Sequence, residues 1–327
     1  MTVVLGIEST AHTFGVAVVK NGKILSNIKR SYITERGGII PIEAAKHHQE
    51  NKREIYFEAL GSSGVEEKEI DAIAVSQGPG LAPCLLEGMR FAKELAKKLE
   101  KPVVPVNHCI AHLEIGRITG AKDSVMLYVS GANTQIIAYA SGKFRIFGET
   151  LDIGVGNFID SFARYAGIGF PGGPVIQKLA EEGRKFIELP YTVKGMDIAL
   201  SGILTNLKQK LESNKYKLQD LSYSMQETVF AMLVEVAERA LAHTGKKELL
   251  LGGGVACNFR LQEMCKIMCR ERGAKFFCPE NSLLVDNAAM IAFLGEIMLK
   301  KGIKEKNLNK LDILPRQRSD DVKVNWR

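Results

Sequence analysis

The chain has 327 residues, enough for two domains at about 150 residues each and for a substantial buried core. Hydrophobic residues at 46% and charged residues at 25% exclude a disordered, collagen-like or mostly membrane-embedded protein. Forty-four Lys and Arg against 37 Asp and Glu leave a net charge of +7, which suits a polyanionic partner without requiring one.

Val3 to Ile7 reads as a buried strand and not a signal peptide, because no basic lead precedes it and Glu8 interrupts the apolar run. Phe14 to Val19 and Ile24 to Ile28 follow as strands, and the Asn21-Gly22 pair between them favours a type I′ hairpin turn. Helices are expected over Pro41 to about Leu60, Pro83 to Leu99 and near Ile110 to Ile118, with strands at Ile70 to Ser76 and Val103 to Val106. The adjacent His47 and His48 on the first of these helices read as surface residues. Strands at Val125 to Val129, Gln135 to Ala140 and Phe144 to Glu149 restart the meander. Helices follow at about Phe158 to Ala166, Gly173 to Glu182, Gly202 to Leu211 and Leu221 to His243. The series closes with a strand at Glu248 to Leu251, a helix at Phe259 to Arg272, a strand at Lys275 to Cys278 and a helix at Asp286 to Lys300. Two copies of one order of elements predict two similar α/β domains, residues 1–120 and 121–312, and a tail, 313–327. Each domain is expected to carry a mixed sheet covered on both faces, with ligand held in the cleft between the halves. The longest uncharged stretch, Ser124 to Gly142, has a polar centre and cannot span a bilayer. Six cysteines form no CxxC pair, which fits a reducing cytoplasm.

Three polar or Gly-rich turns follow apolar strands: Gly6 to Thr10, Ser130 to Thr134 and Gly252 to Asn258. Their backbone N–H groups, with the Ser and Thr hydroxyls, are the kind of donors that cradle phosphate. Each alone also reads as an ordinary turn; at matching places in a duplicated chain they favour a nucleotide site. There is no GxxxxGK[ST], and neither Gly252-x-Gly254 nor Gly78-x-Gly80 has the third glycine of a dinucleotide fingerprint.

In Asn107-His108-Cys109-Ile110-Ala111-His112 the histidines are four apart, so on a helix they share a face and can share a metal or simply line a core. Asp286 is either a further ligand or the N-cap of the last helix. The H-E-x-x-H metalloprotease helix needs Glu after its first His, and Cys109 stands there, which argues against a peptidase.

With these motifs in order, the chain resembles the universal tRNA threonylcarbamoyladenosine transferase family, in particular the archaeal and eukaryotic KEOPS catalytic subunit related to bacterial TsaD. The resemblance spans residues 3 to 327. It rests on Gly6 to Thr13, Ser76 to Leu81, Val106 to His112, Tyr128 to Gly131, Phe147 to Asp152, Phe170 to Pro174 and Gly252 to Ala256. It implies duplicated ribonuclease-H-like domains of the actin, sugar-kinase and chaperone-ATPase superfamily. The implied reaction moves threonylcarbamoyl from threonylcarbamoyl-AMP to N6 of the adenosine beside the anticodon, in tRNAs reading codons that begin with A. It implies one transition metal, iron or zinc, on His108, His112, Tyr128 and Asp286. The adenylate, or ATP or AMP, would lie along Tyr128, Val129, Ser130, Gly131, Ala132, Asp160, Gly173, Gln177 and Asn258. Phosphates are then expected near Ser9-Thr10 and Ser130-Gly131, and the adenosine near Gly253. His108, His112 and Asp160 are the catalytic candidates. Implied partners are tRNA, an upstream adenylate-forming synthase and KEOPS subunits, including a small kinase-like ATPase and a small dimerising subunit.

The chain departs from the family at Ala132 and Ala288, where Gly is usual, at Gln177, where an acid is usual, and at Ser9, often Gly in archaea. Gln177 keeps an acceptor and loses a charge that would grip ribose hydroxyls. The competing readings are an ATPase or sugar kinase of the same superfamily and a nucleotide-binding regulatory subunit without chemistry. Neither has a use for paired imidazoles, since magnesium is held through carboxylates and phosphates.

Overall fold

The computed structural model describes residues 1–34 and 38–327, which form two compact units. The first comprises Met1–Ile33, Ile39–Ile115 and Asp286–Arg327, and the second is built on Gly116–Val285.

The first unit opens with the expected meander, β1 (Val3–Glu8), β2 (Thr13–Lys20) and β3 (Lys23–Ser31). Asn21 and Gly22 between β2 and β3 both have positive φ, 49° and 79°, as a type I′ turn requires. Next come α1 (Pro41–Ser63), β4 (Ala72–Gly78), α2 (Ala82–Leu99), β5 (Val103–Asn107) and α3 (His108–Ile115). The sheet order is β3-β2-β1-β4-β5, antiparallel within the meander and parallel thereafter. Because side chains alternate along a strand, Val3, Leu5 and Ile7 of β1 share one face. They pack there with Ile55 and Ala59 of α1 and Phe91 and Leu95 of α2. His48 joins this interior instead of the surface: it is fully buried, its ring lies 5.5 Å from that of Phe14, and its Nε2 is 3.0 Å from the Ala11 carbonyl. The correction reflects helix phase, since position 48 is one turn from buried Ala44 and adjacent positions point apart.

The second unit repeats the pattern with β6 (Val125–Val129), β7 (Thr134–Ala140), β8 (Lys143–Glu149), α4 (Val155–Tyr165) and α5 (Gly173–Glu182). A two-residue pair, β9 (Val193–Lys194) and β10 (Asp197–Ile198), has no counterpart in the sequence reading. Then follow α6 (Ser201–Glu212), α7 (Leu218–Thr244), β11 (Glu248–Gly252), α8 (Phe259–Glu271), β12 (Lys275–Phe277) and the short α9 (Asn281–Leu284). The sheet order β12-β11-β6-β7-β8 is the order of the first sheet read from its other edge. Meander for meander and crossover for crossover, the duplication is exact in topology.

The chain then returns to the first unit through α10 (Ala288–Lys300). The Asn287 side chain caps this helix, accepting the Met290 N–H at 3.0 Å. The expected start at Asp286 therefore moves to Ala288, and Asp286 is released from capping. A Cβ on Gly6 would lie 2.5 Å from the Ala288 carbonyl and 2.6 Å from the Ala292 nitrogen, so glycine there admits the helix backbone against β1. This contact explains why residues 286–312, which the sequence reading assigns to the second domain, group with the first unit. Among the described residues, no helix is long and apolar enough to cross a membrane.

Candidate functional site

The two histidines are placed by the junction of β5 and α3. Asn107 Oδ1 accepts the Ile110 N–H at 3.1 Å, which starts the helix at His108, two residues earlier than the apolar pattern suggests. On one face of α3 the two imidazole rings lie 4.8 Å apart. Asp286 Oδ1 lies 3.4 Å from His108 Nε2 and 3.5 Å from His112 Nε2. All three donors fall within 4.8 Å of one another, and both histidines are buried. Two ligands of a tetrahedral ion with bonds of about 2.1 Å stand roughly 3.4 Å apart, so the set fits a transition metal. Two imidazoles and a carboxylate suit iron or zinc better than magnesium or calcium.

Glu8, a charge at the end of an otherwise apolar strand, supports this cluster. Fully buried, it places Oε2 3.0 Å from His108 Nδ1, while Oε1 accepts the Thr10 N–H at 2.7 Å and the Thr10 hydroxyl at 2.5 Å. A proton held on Nδ1 by Glu8 leaves the Nε2 lone pair for a metal. Burial disfavours the imidazolium of His108, but the Glu8 and Asp286 carboxylates outweigh it and hold the group well above its ordinary range. Burial likewise opposes the charge on Asp286, and the imidazoles outweigh it, so its carboxyl is held well below the usual range. A bound cation would take the place of the proton on Nε2.

The first expected phosphate turn differs from its reading. Gly6 and Glu8 belong to β1, and the turn proper begins at Ser9. Ser9 and Thr10 are buried: Ser9 N–H donates to Ser76 Oγ at 3.1 Å, and Thr10 gives its hydroxyl to Glu8. The Thr10 hydroxyl faces inward because a buried carboxylate needs donors.

In the second unit, the other two turns sit side by side, because β6 and β11 are parallel neighbours with Tyr128 opposite Gly252. Gly253 has φ of 91°, and a Cβ on it would lie 2.4 Å from the Val129 carbonyl and 3.0 Å from the Ser130 nitrogen. Only glycine takes that backbone conformation so close to another chain segment without strain. Ser130 closes its own turn through its N–H to the Asn133 carbonyl at 2.8 Å, leaving Gly131 and Ala132 exposed. Tyr128 is fully buried in β6. Asp160 on α4 accepts the Gly172 N–H at 2.8 Å, which fixes the entry to α5 and hence Gly173 and Gln177. Asn258 caps α8 by accepting from Arg260 N–H at 2.9 Å, and its amide donates to Gln226 Oε1 at 2.8 Å. A cavity of about 810 Å3 opens here, lined by Gln177, Arg184, Gln226, Phe259, Arg260 and Lys266 among others.

The structure thus brings together His108, His112 and Asp286, and separately Val129, Ser130 and Gly253, with Gln177 and Asn258 linked through Gln226 and the cavity. Sequence reasoning missed Glu8 as the partner of His108 and Gln226 as the partner of Asn258. For Glu8 a signal existed, namely one carboxylate in a buried strand; for Gln226 on the long helix α7 there was none.

A family model described as TsaD, tRNA N6-adenosine threonylcarbamoyltransferase, matches residues 23–293. A protein of Thermococcus sibiricus named tRNA N6-adenosine threonylcarbamoyltransferase is 54% identical over 324 residues, covering 99% of this chain and 100% of its own. A Methanosarcina mazei protein named probable bifunctional tRNA threonylcarbamoyladenosine biosynthesis protein is 50% identical, over 99% of this chain and 60% of that one. Among solved structures, full-length HypF in a phosphate- and nucleotide-bound form superposes with a TM-score of 0.63 at 13% identity, over 91% of this chain and 56% of that one. At that identity the likeness speaks to fold alone, and it agrees with the duplicated α/β architecture of two mixed sheets with one repeated strand order. From the family match and the full-length identity, the chain belongs to the tRNA N6-adenosine threonylcarbamoyltransferase family.

Proposed function

We propose that the chain transfers the threonylcarbamoyl group of threonylcarbamoyl-AMP to N6 of the adenosine 3′-adjacent to the anticodon, in tRNAs reading codons that begin with A, and releases AMP. The observation that carries this reading is the buried His108, His112 and Asp286 cluster in a chain whose full-length relatives bear the transferase name. The ATPase or sugar-kinase alternative is not favoured, because magnesium–phosphate chemistry makes no use of two buried imidazoles.

His108, His112 and Asp286 are the proposed ligands of one metal ion, iron or zinc, and the resemblance adds Tyr128. Such an ion supplies Lewis acidity toward the carbamoyl carbonyl. The chain's own groups bind and orient: the exposed Gly131 and Ala132 peptides hold the adenylate phosphate, and Gly173, Gln177, Gly253 and Asn258 hold its adenosine. In the transfer the N6 lone pair forms the new C–N bond. The carbonyl C–O bond to phosphate breaks, its electron pair leaves with AMP, and N6 gives up a proton. Asp160, anchored on Gly172, orients a ribose hydroxyl or takes that proton.

The proposed partners are tRNA, an upstream synthase that makes the adenylate, and KEOPS subunits including a small kinase-like ATPase and a small dimerising subunit. The biosynthesis name of the bifunctional relative supports a multicomponent route. Six free cysteines support a cytoplasmic location.

The test is reconstitution with tRNA, threonine, bicarbonate, ATP, synthase and partners, followed by mass spectrometry of the nucleosides. Threonylcarbamoyladenosine should form and should be lost when His108 and His112 are both replaced by Ala. Elemental analysis of the same double variant should show loss of metal; one ion per chain in it would overturn the ligand assignment.

A further inference from the structure

We propose that Glu114 is a positioning residue of the metal site, held by a strap of residues 312–327 that fixes both ends of the helix bearing His108 and His112. This inference rests on the metal reading above. At eight residues, α3 is too short to be stable on its own, so its axis and rotation are set by what grips it. The grip at its far end is Glu114, two residues past His112 and fully buried. Its Oε1 accepts from Arg327 Nε at 2.8 Å and from the Trp326 indole Nε1 at 3.2 Å. Trp326 is itself buried, and the Arg327 side chain is 15% exposed. Removing one partner of a buried ion pair leaves an uncompensated charge, so this contact cannot loosen without disturbing the helix end.

The same strap reaches the other end of α3. Asn107 caps that end through Oδ1, and its Nδ2 donates to Gln317 Oε1 at 3.0 Å. Just before Gln317, the strap is also fixed at the end of β4. Gln77 Nε2 donates to the Asp312 carbonyl at 2.8 Å, Leu314 N–H donates to the Gln77 carbonyl at 2.8 Å, and Gly80 N–H donates to the Pro315 carbonyl at 3.1 Å. One continuous segment therefore ties the cap of α3, its last turn and the neighbouring strand together. The two ligand imidazoles lie between those ties. Residues 313–327, read from sequence as a tail, are on this account part of the metal centre's scaffold.

The experiment uses the full chain, with Co2+ as the probe. Wild type should bind one Co2+ per chain with a defined d–d absorption band, and His108→Ala should abolish it. Trp326→Phe, which keeps the packing and removes the N–H, and Arg327→Gln should each weaken Co2+ binding about tenfold or more and alter the band at a temperature where the variant is folded. Arg327→Lys, which keeps the charge, should restore part of the affinity. Unchanged Co2+ affinity and spectrum in both variants, with only a lower Tm, would overturn the proposal and leave the strap a purely structural element. Failure of wild type to bind Co2+ would overturn the metal reading itself, and this inference with it. If a variant does not fold, hydrogen exchange on wild type decides: the α3 amides and the Trp326 indole N–H should open in one step, and independent opening would overturn the coupling.

Discussion

Glu8 occupies a position that hydrophobic burial alone would give to valine, between Ile7 and Ser9 in the fully buried end of β1. A carboxylate persists there because Thr10 and His108 supply its hydrogen bonds. Replacing it with Gln keeps the size but offers no charge to hold the proton on His108 Nδ1. Glu8→Gln should lower metal affinity by about 10- to 100-fold, measured by chelator competition; unchanged affinity would mean that the pair is incidental. His48 makes a different prediction. Burial lowers its pKa from 6.5 to about 4, so between those values the unfolded chain takes up a proton that folded His48 refuses. The unfolded state binds more protons in that window, and stability falls as pH drops through it. His48→Gln should flatten the decline of Tm between pH 6.5 and 4; an unchanged slope would count against the assignment. At this scale the His108 and His112 pair was legible because spacing alone puts two residues on one helix face. The inward turn of the Thr10 hydroxyl was not, because it depends on a carboxylate whose partner, His108, lies 100 residues away.

The contact of β1 with α10 is a close approach of one element's backbone to another's. Gly6→Ala would drive a methyl group to 2.5 Å from the Ala288 carbonyl, and overpacking of this kind costs about 1–3 kcal/mol, here against backbone that cannot rotate away. Gly61, inside α1 with open space around it, is the control: Gly61→Ala should stabilise by roughly 0.5–1 kcal/mol. Urea unfolding of both variants checks the pair, and equal effects would show that close approach is not the reason for Gly6. Long elements were legible because apolar periodicity persists over several turns, and the ends of α5 at Gly173 and Glu182 were read from sequence. The start of α10 was off by two residues because Asp286 and Asn287 are both good caps, and sequence cannot say which side chain turns back to the helix. The pair β9 and β10 is two residues per strand, too short for any alternation to register.

For the molecule as a whole, the recurrence of a single sheet order in both units was implied by the repeated order of elements. The grouping of residues 286–327 with the first unit was not, since nothing local in a sequence says which of two similar sheets a late helix will join. Lys300, Lys301, Lys304, Lys306 and Lys310 are all exposed, and the net charge is +7, so tRNA should be held weakly and mainly by electrostatics. Binding measured across a salt series should fall steeply with ionic strength. Modification by the isolated chain should be slight and should rise substantially when KEOPS partners are added. Tight, salt-insensitive binding with full activity from the chain alone would contradict both expectations.

The interrupted first unit also has a consequence for how the protein is made. Asp286 leaves the ribosome 174 residues after His112, a delay of about 9–35 s at ordinary rates of synthesis. By the end of that interval the second unit has been made and can fold, while β1 still waits for α10. The histidine pair therefore exists on the nascent chain before its carboxylate does, and ion capture by all three proposed ligands is confined to the period after the second unit has emerged.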